Sequence, residues 1–435
     1  MTTNTHHRID FITLGCSKNL VDSEHLMRQL SLNGYDVQHD PAKPRGRIVV
    51  INTCGFIGDA QEESINTILH YSELKKQHKI DKIFVMGCLS QRFKEDLQKE
   101  IPEVDYYFGK FNFQELLPLL GKTYQSNFSV ERTITTPGHY AYVKIAEGCN
   151  RTCSYCAIPI ITGKHQSRPP QEIIDEIHWL VKQGVREIQL IAQDLTYYGY
   201  DTEQKALLPD LVNRIADVPG VEWIRLHYAY PAHFPYELLR VMRERKNVCH
   251  YLDIALQHSS NNMLQRMRRN ITLEQTEELL SLIRSEIPDI HLRTTLLVGH
   301  PGETEEDFQS LKSFVTAQRF ERLGAFAYSH ETGTYAYDHY TDDVPDAVKQ
   351  KRLDEIMELQ RAISAEQNEA KVGQTFNVII DREEKEFYVG RTEYDSPEVD
   401  PEVFIDKTTF LKIGAFYPIK ITNFDDYDLY GTALL

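Results

Sequence analysis

Over the first 130 residues, short apolar runs alternate with longer polar stretches in which apolar positions recur at helical spacing. RIDFITLGC (8–16), IVVINTC (48–54) and KIFVMGC (82–88) are β-rich runs, each followed by a segment such as GDAQEESINTILHYSELKK or SQRFKEDLQKEI. This alternation predicts a parallel sheet with covering helices, an α/β domain. A fourth unit, VDYYFG then NFQELLPLL, completes it. The polar stretch GKTYQSNFSVERTITTPGH (121–139) has the composition of a linker, so a boundary is expected within it.

Six further strand–helix units follow, with strands YAYVKIAEG (140–148), REIQLIAQD (186–194), EWIRLHYAY (222–230), YLDIALQ (251–257), HLRTTLLVG (291–299) and ERLGAFAYS (321–329). Pro170 and Gly184 bracket one intervening helix. Six consecutive units fit a partial (β/α)6 barrel, because a full eight-unit barrel needs about 250 residues. Residues 344–370 read as one long helix. Beyond it TFNVIID, EFYVGRTEY, EVFID, AFYPIKIT and DLYGTAL alternate at period two, which predicts a small antiparallel β-barrel of the oligonucleotide-binding (OB-like) kind. The expected domains are therefore 6–124, 135–366 and 370–435.

Composition removes several function classes. Hydrophobic residues make up 41% of the 435, enough for real cores, which excludes disorder as the main state. No apolar run approaches the ~18 residues that cross a bilayer, and MTTNTHHRIDFITLGC lacks a basic region followed by an apolar stretch. A cytoplasmic protein without a membrane partner is expected. The formal net charge of −16 argues against affinity built on phosphate neutralisation and favours a basic partner. Seven cysteines, an odd number, suit thiolate chemistry in a reducing compartment rather than a disulfide framework.

Cys149, Cys153 and Cys156 form C-x3-C-x2-C directly after the first barrel strand. Three thiolates on one short loop can hold three irons of a [4Fe–4S] cluster and leave the fourth open. Structural zinc is the alternative, but it wants four closed ligands. Cys16, Cys54 and Cys88 are far apart in sequence, yet each closes a predicted parallel strand, at the edge where open α/β sheets bind ligands. Ordinary buried cysteines would explain any one of them. Three at the same topological place, beside Gly15, Gly55 and Gly87, point to a second three-cysteine cluster. Cys249 belongs to neither set and reads as a buried thiol.

The C-x3-C-x2-C loop resembles that of the radical S-adenosylmethionine superfamily. A three-cysteine α/β domain, a radical S-adenosylmethionine barrel and a final module similar to the TRAM domain together resemble the methylthiotransferase family across essentially the whole chain. GCSKNLVDSE (15–24), YVKIAEGCNRTCSYCAIP (142–159), HYAYPAHF (227–234), MRRNIT (267–272) and LRTTLLVGHPGETEEDF (292–308) look closest to its RimO branch, which modifies an aspartate of small-subunit ribosomal protein S-twelve. From Gln374 to Leu435 there are 6 Lys+Arg and 13 Asp+Glu, an acidic balance that suits a basic ribosomal protein and speaks against tRNA. A tRNA adenosine methylthiotransferase is the alternative substrate reading.

The resemblance implies the chemistry. A β-carbon C–H of an aspartate is too weak an acid for an ordinary general base, so a radical route is required. The cluster on Cys149, Cys153 and Cys156 would cleave S-adenosylmethionine reductively. The cluster on Cys16, Cys54 and Cys88 would carry the sulfur, take a methyl group from a second S-adenosylmethionine and deliver methylthio to carbon. An electron donor and a sulfur source are implied as partners. Tyr155 occupies the position expected beside the adenine; Gln193 and Asp194, and the turn holding Gly299, His300, Pro301, Gly302 and Glu303, sit where barrel active sites are built. Ordinary turn chemistry explains Gly302 and Glu303 equally well.

Overall fold

The computed structural model describes residues 7–110 and 112–434. The expectation about the start of the chain rests partly on residues 1–6, which lie outside the described residues. Two compact units emerge: one takes the residues up to Thr136 with Tyr142–Arg151 and Ala157–Trp179, the other Pro137–Ala141, Thr152–Cys156 and Leu180 onward.

In the first unit the strands β1 (Arg8–Thr13), β2 (Asp36–His39), β3 (Ile48–Thr53), β4 (Lys82–Gly87) and β5 (Tyr106–Tyr107) form a five-stranded sheet of order β2-β1-β3-β4-β5. Every described ladder in it is parallel. Side chains alternate across the sheet. Ile48 and Val50 join Phe11, Leu26 and Leu30 on one face, while Val49 and Ile51 join Ile68, Val85 and Leu89 on the other. Because helices cover both faces, the strands read as unbroken apolar runs. The pattern missed β2, a polar edge strand of four residues. It also expected a longer helix after β5, where only the turn Phe113–Glu115 and the helix Leu116–Leu119 form, around Pro118.

The barrel strands are β6 (Tyr140–Lys144), then, after the short antiparallel pair β7 (Ala146–Glu147) and β8 (Gln166–Ser167), β9 (Glu187–Ile191), β10 (Trp223–Ala229), β11 (Val248–Ile254), β12 (His291–Val298) and β13 (Arg322–Ala327). They lie side by side in sequence order, six strands from β6 to β13, as the six-unit count predicts. The first run splits, because its end turns aside as β7 instead of prolonging β6.

The long helix spans Asp346–Glu369. After it β14 (Thr375–Glu383), β15 (Phe387–Thr392), β16 (Val403–Asp406), β17 (Phe416–Phe424) and β18 (Leu429–Ala433) close a barrel of order β14-β15-β16-β18-β17. One described ladder, β16 with β18, is parallel; the others are antiparallel. The tail belongs to the same unit as β9–β13 because buried ion pairs join them. Arg391 donates to Glu187 at 2.7 Å and to Asp381 at 2.6 Å, Arg322 pairs with Asp395, and Arg293 lies 3.2 Å from Asp400. Trp223 packs edge-on against Phe416, ring centres 4.8 Å apart.

All of these barrel partners stand at or near the first residues of their strands. The tail therefore seals the end of the barrel opposite to that bearing Asp194 and Gly299. Three of its carboxylates, Asp381, Asp395 and Asp400, are engaged there, so the surface of the tail is less acidic than its composition implies.

Candidate iron–sulfur and cofactor sites

The first trio stands just past three neighbouring strand ends. Cys16 is the residue before helix α1 (Ser17–Leu32), Cys54 follows β3 and Cys88 opens helix α2 (Cys88–Glu100). The neighbouring glycines have a steric reason. A Cβ on Gly15 (φ +91°) would lie 2.8 Å from Cys54 Cβ, and one on Gly55 2.6 Å from the Leu89 backbone and 2.8 Å from that of Cys88. On Gly87 (φ +100°) it would meet Asn52 Oδ1 and the Thr53 backbone. Real Cβ atoms do not approach so closely, so only glycine lets these three loops draw together. The thiols are near enough to interact: Cys16 acts on Cys54, and both act on Cys88.

Their electrostatics differ. Burial pushes the Cys88 thiol up to about 12 and raises that of Cys54. Cys16 is exposed, and although the surrounding protein disfavours its thiolate, Lys18 and Lys110 together with the backbone N–H groups of Asn19 and Lys18 outweigh that and hold the thiol below its ordinary value. Among the described residues no three His, Cys, Asp or Glu side chains close on a point at single-ion distance. Three thiols near enough to act on one another are still a donor set suited to iron–sulfur ligation.

In the C-x3-C-x2-C loop, Cys149 belongs to the first unit and Cys153 and Cys156 to the second. Gly148 (φ +81°) lets the chain pass against the Lys164 carbonyl, and Cys149 N–H donates to the Gly163 carbonyl at 3.1 Å. Arg151 N–H lies 3.4 Å from Cys149 Sγ. In the second unit the loop is pinned from several sides. Ser154 N–H donates to the Met267 carbonyl at 3.0 Å, the Ser154 carbonyl accepts from Ala336 at 2.7 Å, and the Ser154 hydroxyl meets His300 Nε2 at 2.9 Å. Burial pushes the His300 imidazole down to about 4, so it is neutral, and its Nδ1 faces the Pro301 carbonyl at 3.1 Å. Neutral with Nδ1 protonated, it accepts a hydrogen bond from the serine hydroxyl at Nε2.

Tyr155 and Cys153 share a cation that sequence reasoning left without a role. Arg269 Nη1 lies 3.2 Å from Cys153 Sγ and 3.3 Å from Tyr155 Oη, and its guanidinium stacks 4.1 Å from the centre of the Tyr230 ring. The side chain is buried, yet Nε has no hydrogen-bond partner. A buried, fixed cation with an unsatisfied donor beside the cluster loop fits an anionic cofactor group. It sits within MRRNIT, but composition could not tell it from Arg268 beside it.

The remaining predicted positions divide. Asp194 accepts from Thr196 N–H at 2.9 Å and caps the turn Leu195–Tyr197, while Gln193 is half-buried at the same strand end. Glu303 accepts from Gly299 N–H, lies 3.3 Å from His258 Nε2 and pairs with Arg352 at 3.1 Å, so its carboxylate organises the turn after β12. Gly299 (φ +75°) and Gly302 (φ +81°) both take backbone that glycine favours. Cys249 is buried with Trp223, Tyr251 and Ile379 at the tail contact.

Comparison with known proteins finds family matches along three segments of the chain. Residues 8–109 match the uncharacterized protein family UPF0004, 143–315 the radical SAM superfamily and 372–434 the TRAM domain. Among solved structures, the radical S-adenosylmethionine methyltransferase TsrM from Kitasatospora setae superposes with a TM-score of 0.54 over 74% of this chain and 73% of that one, at 16% identity. The cobalamin-dependent radical enzyme OxsB gives 0.54 over 80% of this chain and 56% of its own, at 12% identity. Both share the fold. Far greater similarity links the chain to the ribosomal protein uS12 methylthiotransferases RimO of Parabacteroides distasonis, 65% identical over 98% of this chain and 99% of the relative, and Phocaeicola vulgatus, 63% over 98% and 99%. With that identity maintained along virtually its whole length, the chain belongs to the RimO family of ribosomal protein methylthiotransferases.

Proposed function

We propose that this chain methylthiolates the β-carbon of an aspartate in small-subunit ribosomal protein uS12, in the cytoplasm where ribosomes are built. The observation that carries the reading is the 65% identity to a uS12 methylthiotransferase over nearly the full length of both chains. The tRNA alternative finds no comparable support. The modules are residues 6–124, 135–366 and 370–435.

Cys149, Cys153 and Cys156 hold one [4Fe–4S] cluster and Cys16, Cys54 and Cys88 the other. Together with S-adenosylmethionine, the clusters supply one-electron cleavage of the sulfonium and transfer of a methylthio group. Arg269 binds an anionic end of the cofactor through its unsatisfied Nε and holds Cys153 and Tyr155 in place. Tyr155 stays protonated because burial raises its hydroxyl well above the ordinary range, so it walls the site without adding charge. His300 and Ser154 fix the cluster loop. Gly299 and Glu303 shape the turn, and Gln193 and Asp194 line the neighbouring strand end. The protein's contribution is positioning and exclusion of water.

The test is mass spectrometry of uS12 and of tRNA nucleosides from a strain lacking this gene, complemented with the wild-type chain or with Cys149→Ala. Restoration of the methylthio mass on uS12 by the wild type alone supports the proposal; restoration on tRNA with uS12 unmodified refutes it.

A further inference from the structure

Beside the first trio lies a buried group of charges that the ligand assignment does not use. Lys110, on the loop after β5, has a side chain only 3% exposed. Its ammonium is 3.1 Å from Asp22 on α1 and 3.7 Å from Glu147 on β7. Lys144 bonds the same two carboxylates, with Glu147 at 2.7 Å. Two cations and two carboxylates balance, so the set is neutral and the loss of any one of the four leaves it charged. Asp22 lies on the helix that Cys16 opens, and Glu147 is two residues before Cys149.

Asn19 aims Lys110 at the thiols. Its amide donates to the Leu14 and Thr53 carbonyls at 3.0 and 3.1 Å, which fixes it across the ends of β1 and β3. Its Oδ1 then receives Lys110 Nζ at 3.4 Å and Cys88 Sγ at 3.6 Å. The ammonium and the thiol therefore share one fixed acceptor.

We propose that Lys110 is a positioning residue for the first trio, its ammonium held by Asp22 and Asn19 so that it sets the reduction potential of the iron–sulfur group on Cys16, Cys54 and Cys88. This rests on the reading that the trio carries such a group. One-electron reduction adds a negative charge, which a fixed cation nearby favours, and charges and hydrogen bonds around the cysteine sulfurs are the levers a protein has over that potential. Removing Lys110 leaves the charge set at −1 beside the sulfurs; neutralising Glu147 leaves it at +1. The two changes must act in opposite directions, which loss of packing alone would not produce.

The experiment uses the full chain with Cys149→Ala, Cys153→Ala and Cys156→Ala, so that only the first trio loads, reconstituted anaerobically with iron and sulfide. Redox titration followed by electron paramagnetic resonance then compares Lys110→Met, Lys110→Arg and Glu147→Gln. Lys110→Met should lower the one-electron equilibrium at least tenfold, about 59 mV. Lys110→Arg should stay close to the parent, and Glu147→Gln should move the potential upward. An unchanged potential in Lys110→Met, or shifts of the same sign in Lys110→Met and Glu147→Gln, overturns the proposal. So does loss of iron from Lys110→Met, whether or not Lys110→Arg loads, because the residue would then serve assembly rather than tuning. A parent protein that takes up no iron refutes the cluster itself, a failure visible before any substitution at Lys110.

Discussion

Replacing Arg391 with methionine removes the side chain that ties the tail to the barrel. Arg391 is 1% exposed and reaches Glu187 at 2.7 and 3.2 Å, Asp381 at 2.6 and 2.9 Å, and the Asp395 carbonyl at 3.1 Å. Breaking a buried pair by removing one partner costs about 3–5 kcal/mol, because the remaining charge stays buried. Glu187 would keep Arg225 at 3.0 Å and Asp381 would keep His139 at 2.7 Å, which places the loss at the lower end, about 3 kcal/mol. For a body of this size that lowers the melting midpoint by roughly 6 °C. The assay is built into the contact: Trp223 packs on Phe416, so in a Trp179→Phe background its fluorescence reports separation of tail from barrel. Glu187→Gln with Arg391→Met should cost less than the two single changes added, by about 1 kcal/mol or more. Cleavage of S-adenosylmethionine below the melting range should persist, since these contacts lie at the opposite strand ends from the cluster loop. A loss under about 1 kcal/mol, with an additive double variant, would refute the reasoning.

Other outcomes follow from the same geometry. Gly55→Ala, which drives a Cβ to 2.6 Å from the Leu89 backbone, should abolish iron binding by the first trio while the loop at Cys149, Cys153 and Cys156 still loads; full iron content measured chemically would contradict this. Substituting Cys16, Cys54 and Cys88 together by alanine should leave formation of 5′-deoxyadenosine intact and eliminate methylthio product, as read by chromatography of both. Arg269→Met should weaken S-adenosylmethionine binding at least tenfold by calorimetry on the reconstituted protein, because the partnerless Nε and its charge both disappear. Asp381, held down to about 2 against its burial by Arg391 and His139, contributes stability that is present above about pH 4 and lost as the pH falls toward 2. The acid limb of unfolding should therefore be shallower in Asp381→Asn, by about 2 kcal/mol over that window.

Much of this protein is decided by local pattern. Runs such as IVVINTC and KIFVMGC are apolar on both faces and bounded by turns, so strand and parallel sheet follow from them directly. Six strand–helix units in order fit neighbouring strands laid side by side in sequence order, and C-x3-C-x2-C carries its own chemistry because three ligands within eight residues lie close whatever the fold. The register of the first trio was legible only as a coincidence of position. Its physical reason, the close approach that Gly15, Gly55 and Gly87 permit, exists only once β1, β3 and β4 lie side by side. Lys110, Asp22, Lys144 and Glu147 are ordinary charged residues in the sequence, spread between positions 22 and 147; burial in one place makes them a balanced set. The tail shows the limit from the other side. Its composition counts thirteen carboxylates, but whether a carboxylate faces a partner or a buried arginine is a matter of packing, and Asp381, Asp395 and Asp400 face inward because arginines of β12, β13 and β15 wait for them there. Sequence determines which groups are present and which segments extend; which charges remain free to act is settled by desolvation, and that is a property of the assembled fold.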